Sequence, residues 1–215
     1  MVIAIDGPAG SGKTTVAKLL AAKLGIFYLD TGATYRALTY LALKEKISLS
    51  DAQALRSLAQ DMDLLFKDSA VYLGEEDVTA AIRTPQIDKS ISQVVSYPQV
   101  REVMVKLQRQ IAKDKDCVVE GRDITTVVFP NAKLKFYLDA DPKIRAKRRY
   151  DELKAKGVDI GFEEVKSDLE KRDYSDKNRK AGPLIKSKDA VAIDTTPYGI
   201  NETVEVIAGH VYKKK

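Results

Sequence analysis

Residues 7–14 read Gly7-Pro8-Ala9-Gly10-Ser11-Gly12-Lys13-Thr14, the full pattern G-x-x-x-x-G-K-[ST]. This run constrains the fold because it works only between a strand and a helix. Residues 2–5 (VIAI) before it read as a strand, and residues 13–24 after it read as a helix that Gly25 stops. The glycines let the loop wrap so that successive backbone N–H groups point inward, and the helix N-terminus adds the positive end of its dipole. Lys13 supplies a mobile positive charge for β- and γ-phosphates, and the Thr14 hydroxyl is placed to ligate Mg²⁺. A chance glycine-rich turn would lack this strand-and-helix context. The expected nucleotide contacts are therefore Gly7 to Thr14 and the adjoining Thr15, with Thr14 as the metal ligand.

The rest of the chain alternates short β-branched runs with helical stretches. Strands are expected at 26–29, 117–119, 134–138 and 190–193. Helices are expected at about 34–46, 51–61, 98–113, 142–156 and 162–177, and from about 200. This alternation predicts an α/β fold, a parallel sheet flanked by helices. Residues 63–67 and 70–73, around Asp68-Ser69, read as a hairpin inside an irregular stretch of about 62–97, which argues for an inserted lobe. No Gly-Pro-Ser linker divides the chain, so 1–215 is expected to be a single domain.

Composition narrows the class further. With 44% hydrophobic and 31% charged residues the chain is ordinary globular material. No apolar run approaches the roughly 20 residues of a membrane helix. The N-terminal Met1-Val2-Ile3-Ala4-Ile5-Asp6 does not read as a secretory signal. Cys117 is the only cysteine, so an internal disulfide is excluded and a cytoplasmic location is expected. The net charge of +5 suggests an anionic partner without choosing one. Lys143, Arg145, Lys147, Arg148 and Arg149 cluster within one helical stretch. They can serve as a phosphate-facing stripe or as a solvated basic face.

Three more clusters suggest a second anionic ligand. Asp30-Thr31-Gly32-Ala33-Thr34-Tyr35-Arg36 and Glu120-Gly121-Arg122-Asp123 each follow a strand, where ligand loops belong in an open α/β sheet. The third is Lys171 to Arg179. An arginine in such a loop can grip a phosphate through its fork of donors, and an aspartate can accept from a hydroxyl or exocyclic amine. Each cluster alone is weak, since an Arg-Asp pair is more often a surface ion pair.

Taken in order, GPAGSGKT, LDTGATYRA, EDVTAAIRTPQIDKSISQVVSYPQVR, EGRDITTVVFP and KRDYSDKNR resemble the bacterial cytidylate kinases, P-loop nucleoside monophosphate kinases, over residues 2–212. The resemblance implies transfer of the ATP γ-phosphoryl group to CMP or dCMP with Mg²⁺. It also implies a P-loop core, a monophosphate-binding lobe at about 62–97 and a mobile lid at about 145–180. Thr31 and Arg36 would meet the acceptor, Arg36 at its phosphate, while Ser92 and Arg101 would recognise cytosine. Arg122 would bind the acceptor phosphate, and Asp123 and Asp176 would accept from the sugar. Arg172 and Arg179 would sit near the transferring phosphates, and Arg148 would contact ATP. Lys13, Arg122, Arg172 and Arg179 form the implied catalytic set. Two positions depart from the family pattern. Glu120 stands where aspartate is usual, and Thr125 stands where glycine is common.

In-line attack by an already ionised phosphate oxygen needs no strong base, in keeping with a chain whose only histidine is His210. D-x-x-G and N-K-x-D patterns, which a GTPase switch would need, are absent. The rival readings are a kinase of the same fold with another acceptor and a nucleic-acid-binding ATPase. No RNA-binding aromatic motif supports the latter. A monomer without nucleic-acid or membrane partners is expected.

Overall fold

A computed structural model of the chain describes residues 1–67 and 70–213. The elements run β1 (Val2–Asp6), α1 (Lys13–Leu24), β2 (Phe27–Asp30), α2 (Thr31–Lys44), α3 (Ala52–Asp61), β3 (Leu64–Lys67), β4 (Ala70–Leu73), β5 (Glu76–Asp77), α4 (Pro85–Val94), α5 (Pro98–Ile111), β6 (Cys117–Gly121), β7 (Leu134–Asp139), α6 (Pro142–Ala155), α7 (Phe162–Asn178), β8 (Val191–Asp194) and α8 (Ile200–Tyr212). A 3₁₀ turn at Ala81–Arg83 precedes α4, and a π-helical segment, Ile124–Val128, follows β6. The chain divides into two compact units, Met1–Tyr28 with Asp116–Lys215, and Leu29–Lys115. The stretch of about 62–97 falls within the second.

The first unit is built on a sheet of order β2-β6-β1-β7-β8. β1 runs parallel to β6 and β7, and β7 runs parallel to β8. β1 and β6 are apolar almost throughout because helices cover both faces, as a parallel sheet requires. Ile3, Ile5, Val118, Phe136 and Leu138 pack with Val16 and Leu20 of α1 and Ile207 and Val211 of α8. The register pairs Asp6 with Gly121 and Tyr137, so loops 7–12 and 122–123 leave the same end of adjacent strands. That is where open α/β sheets carry their ligands.

The second unit packs α2, α3, α4 and α5 around Leu38, Leu55, Ile82, Val94 and Met104. Its small antiparallel sheet has the order β3-β4-β5, with Leu64 opposite Leu73 and Lys67 opposite Ala70. The turn expected at Asp68-Ser69 lies outside the described residues. The strand Glu76–Asp77 was not legible in advance, since two acidic residues carry no strand signal. α2 begins at Thr31 rather than at about 34, because the Asp30 side chain accepts from Ala33 N–H and caps it. Among the described residues, no helix is long and apolar enough to cross a membrane.

Candidate active site

Glycine is required where the loop of the first unit meets its neighbours. A Cβ on Gly7 would lie 2.2 Å from the carbonyl oxygen of Leu138. One on Gly10 would lie 2.8 Å from that of Arg145, at a left-handed φ of 73°. Long-range contacts then hold the loop. Ala9 N–H donates to Asp173 Oδ1 (3.1 Å), and Arg145 Nη1 donates to Ala9 O (2.9 Å) and to Asp173 Oδ2 (2.5 Å). Thr195 Oγ1 lies 3.2 Å from Ser11 O. Ala9 also packs against Ala146, Val165 and Leu169, which fixes α6 and α7 to the loop. Arg145 is therefore a buried clasp and not part of a phosphate-facing stripe with Arg149. Arg149 reaches Glu152 at 2.9 Å. Arg148 donates to Thr195 Oγ1 (2.9 Å) and Thr195 O (2.7 Å), the loop between β8 and α8.

Lys13 opens α1 and folds back over the loop, its Nζ donating to Pro8 O at 3.0 Å. Burial, reinforced by the positive charge of Arg122, pulls its pKa down to about 7, against the attraction of Glu120. The loop thus holds a cation short of anionic partners, the condition that phosphate oxygens would relieve. The Ser11 hydroxyl is buried and makes no hydrogen bond. These features fit a polyphosphate. Thr14 Oγ1 donates to Glu120 Oε1 at 2.8 Å, and the Tyr28 hydroxyl lies 3.4 Å from the same oxygen. Glu120 thus reaches the Thr14 hydroxyl directly, and its side chain keeps a carboxylate at the end of β6. Among the described residues no group of three or more His, Cys, Asp or Glu side chains could hold a metal. Thr14 with phosphate oxygens is the donor set that fits Mg²⁺. Thr15 is exposed in the first turn of α1.

Around the loop, Arg122 Nε donates to Asp176 Oδ2 (2.7 Å). Arg179 donates from Nη2 to Asp123 Oδ1 (3.3 Å) and from Nη1 to Asp176 Oδ1 (3.5 Å). Burial alone would raise the Asp176 pKa, but Arg122, Arg172 and Arg179 together hold it below the ordinary range. Arg172 also acts on Lys13 through its charge. The first unit therefore brings together Lys13, Arg122, Asp123, Arg172, Asp176 and Arg179.

Asp6 was not singled out by sequence reasoning. Fully buried, it accepts from Ile124 N–H (2.8 Å), Thr125 N–H (2.8 Å) and Thr125 Oγ1 (2.6 Å), which fastens the segment after Arg122 to β1. Burial pushes its pKa up despite these bonds. Thr125 adds a side-chain donor that a glycine could not.

The second unit carries the other expected residues. Thr31 is buried at the start of α2, and its carbonyl accepts from Thr34 Oγ1 at 2.7 Å. Arg36 Nη1 donates to Asp88 Oδ1 at 2.5 Å. Arg101 is buried on α5 with its guanidinium 5.4 Å from the Tyr35 ring centroid, a cation–π contact. Ser92 is exposed on α4. Arg83 donates to Asp30 Oδ2 at 3.0 Å, a pairing over 53 residues that no local pattern announces.

The family model described as cytidylate kinase matches residues 3–213. A cytidylate kinase of Clostridium tetani is 45% identical over 97% of this chain and 92% of its own length. A cytidylate kinase of Ligilactobacillus salivarius is 49% identical over 95% of this chain and 93% of its own. A crystal structure of a protein from Eubacterium ventriosum superposes with a TM-score of 0.50 at 17% identity, covering 98% of each chain, a likeness of fold alone.

Proposed function

Because the chain belongs to the cytidylate kinase family, we propose that it transfers the γ-phosphoryl group of ATP to CMP and dCMP, yielding ADP with CDP or dCDP. The observation that carries this reading is the gathering of Lys13, Arg122, Arg172 and Arg179 at the strand ends where the loop 7–14 begins. Phosphoryl transfer needs positioning and charge stabilisation more than covalent help, and this set is rich in both.

Family membership suggests a role for each of these residues. The backbone N–H groups of the loop from Ala9 to Thr14 would line the β- and γ-phosphates, and Lys13 would exchange Pro8 O for a phosphate oxygen. Arg148, anchored to the loop at Thr195, would contact ATP. Bound Mg²⁺, held by Thr14, would draw charge from the β- and γ-oxygens. Arg122 and Arg36 would hold the acceptor's phosphate, and Asp123 and Asp176 its sugar hydroxyls. Ser92 and Arg101 would recognise cytosine, with Thr31 beside them. Arg172 and Arg179 would stabilise the transferring group. His210 packs edge-on against Phe136, ring centroids 6.0 Å apart, in keeping with a transfer that uses no histidine base. Residues 62–97 would form a monophosphate-binding lobe. Residues 145–180 would act as a lid that excludes water, without which ATP would be hydrolysed. Buried, unbridged Cys117 suits a reducing cytoplasm, and we expect a monomer.

Phosphorus NMR of the chain with ATP, CMP and Mg²⁺ tests the reaction. Growth of the two CDP resonances in step with ADP is expected. Release of inorganic phosphate without CDP would refute the transfer.

A further inference from the structure

Arg36 already holds an anion from within its own unit. Its Nη1 donates to Asp88 Oδ1 at 2.5 Å, with the two side chains 13% and 28% exposed. Water therefore screens the pair only in part. A guanidinium meets carboxylate and phosphate through the same fork of N–H donors, so the place Asp88 takes on Nη1 is one a phosphate oxygen could take. Asp88 lies in the first turn of α4, and Ser92 follows at i+4 on the same helix face. α4 packs on α2, which carries Arg36.

We propose that Asp88 is an internal counter-anion that competes with the acceptor's phosphate for Arg36 and so sets the affinity of this chain for phosphorylated acceptors. The proposal rests on the reading of Arg36 as the acceptor's phosphate holder. The doubly charged phosphate displaces the singly charged carboxylate, and Arg36 passes from the α4 face to the acceptor. If Asp88 instead only oriented the guanidinium, removing its charge would weaken phosphate binding, so the two roles differ in sign.

Calorimetric titration of CMP and of cytidine into the unmodified chain, Asp88→Asn and Arg36→Ala separates them. Asp88→Asn is expected to tighten CMP about three- to ten-fold, the worth of a partly screened ion pair, and to leave cytidine affinity unchanged. Equal or weaker CMP binding by Asp88→Asn, with Arg36→Ala impaired, would overturn the competition and keep Arg36 as the phosphate holder. Unimpaired CMP binding by Arg36→Ala would overturn both. Should Asp88→Asn fail to fold, a crystal structure of the unmodified chain with CMP decides. Separation of Arg36 Nη1 from Asp88 Oδ1 beyond about 4 Å is expected, and a retained contact would overturn the proposal.

Discussion

The loop 7–14 and the second unit are held by different materials. In the first, the loop 7–14 presents backbone, and its fastenings also end on backbone: Lys13 on Pro8 O, Arg145 on Ala9 O, Asp173 on Ala9 N–H. In the second, side chain holds side chain, with Arg36 on Asp88, Arg83 on Asp30 and Arg101 over Tyr35. A backbone cradle cannot be retuned by changing one side chain, and it suits a ligand common to many enzymes. A side-chain seat can be retuned at single positions, so the choice of acceptor is expected to reside in the second unit.

Substitutions in the two units should break this comparison in different ways. Arg172→Ala and Arg179→Ala, in the first, should each lower kcat by about 10³, about 4 kcal/mol of barrier. They should do so for every acceptor alike, as single-turnover rates would show. Near-normal turnover by both variants would remove these arginines from the mechanism. Arg101→Met, in the second, should lower kcat/KM for CMP by about 30-fold, the loss of one charge-assisted hydrogen bond, and leave the slow rate with AMP unchanged. An equal fall with both nucleotides would move base recognition elsewhere.

These contrasts also separate what a sequence makes legible from what it does not. The cradle was readable because its geometry forces glycine at fixed places: Gly10 is both left-handed and pressed against Arg145 O. The parallel strands were readable from their short, mainly apolar runs. The fastenings were not, because Asp6 meets Thr125 across 119 residues and Arg36 meets Asp88 across 52. Arg145 illustrates the same limit: helical spacing put it beside Arg149, but burial against Ala9 and Asp173 decides what it does. The π-helical segment Ile124–Val128 had no periodic signal, being shaped by the bonds of its N–H groups to Asp6.

Smaller effects sharpen the account. Thr125→Gly removes one of the three donors to Asp6 and frees the backbone, and should cost about 1–2 kcal/mol in urea unfolding. An unchanged midpoint would mean that the hydroxyl bond contributes nothing. Smallest is a proton. With its pKa lowered to about 7, Lys13 is largely neutral above that pH. Phosphate oxygens favour its charged form and raise the pKa, so ATP binding should take up a fraction of a proton above about pH 7. Calorimetry in buffers of different ionisation enthalpy would reveal it. Proton release instead would contradict the burial of a charge-starved lysine.

The most direct measurement is ADP release with ATP and Mg²⁺, run side by side with CMP, dCMP, UMP, AMP and GMP. Rates with CMP and dCMP far above those with AMP and GMP are predicted. Equal slow rates with all five, or none at all, would contradict the cytidine-specific transfer and leave only the phosphate cradle standing.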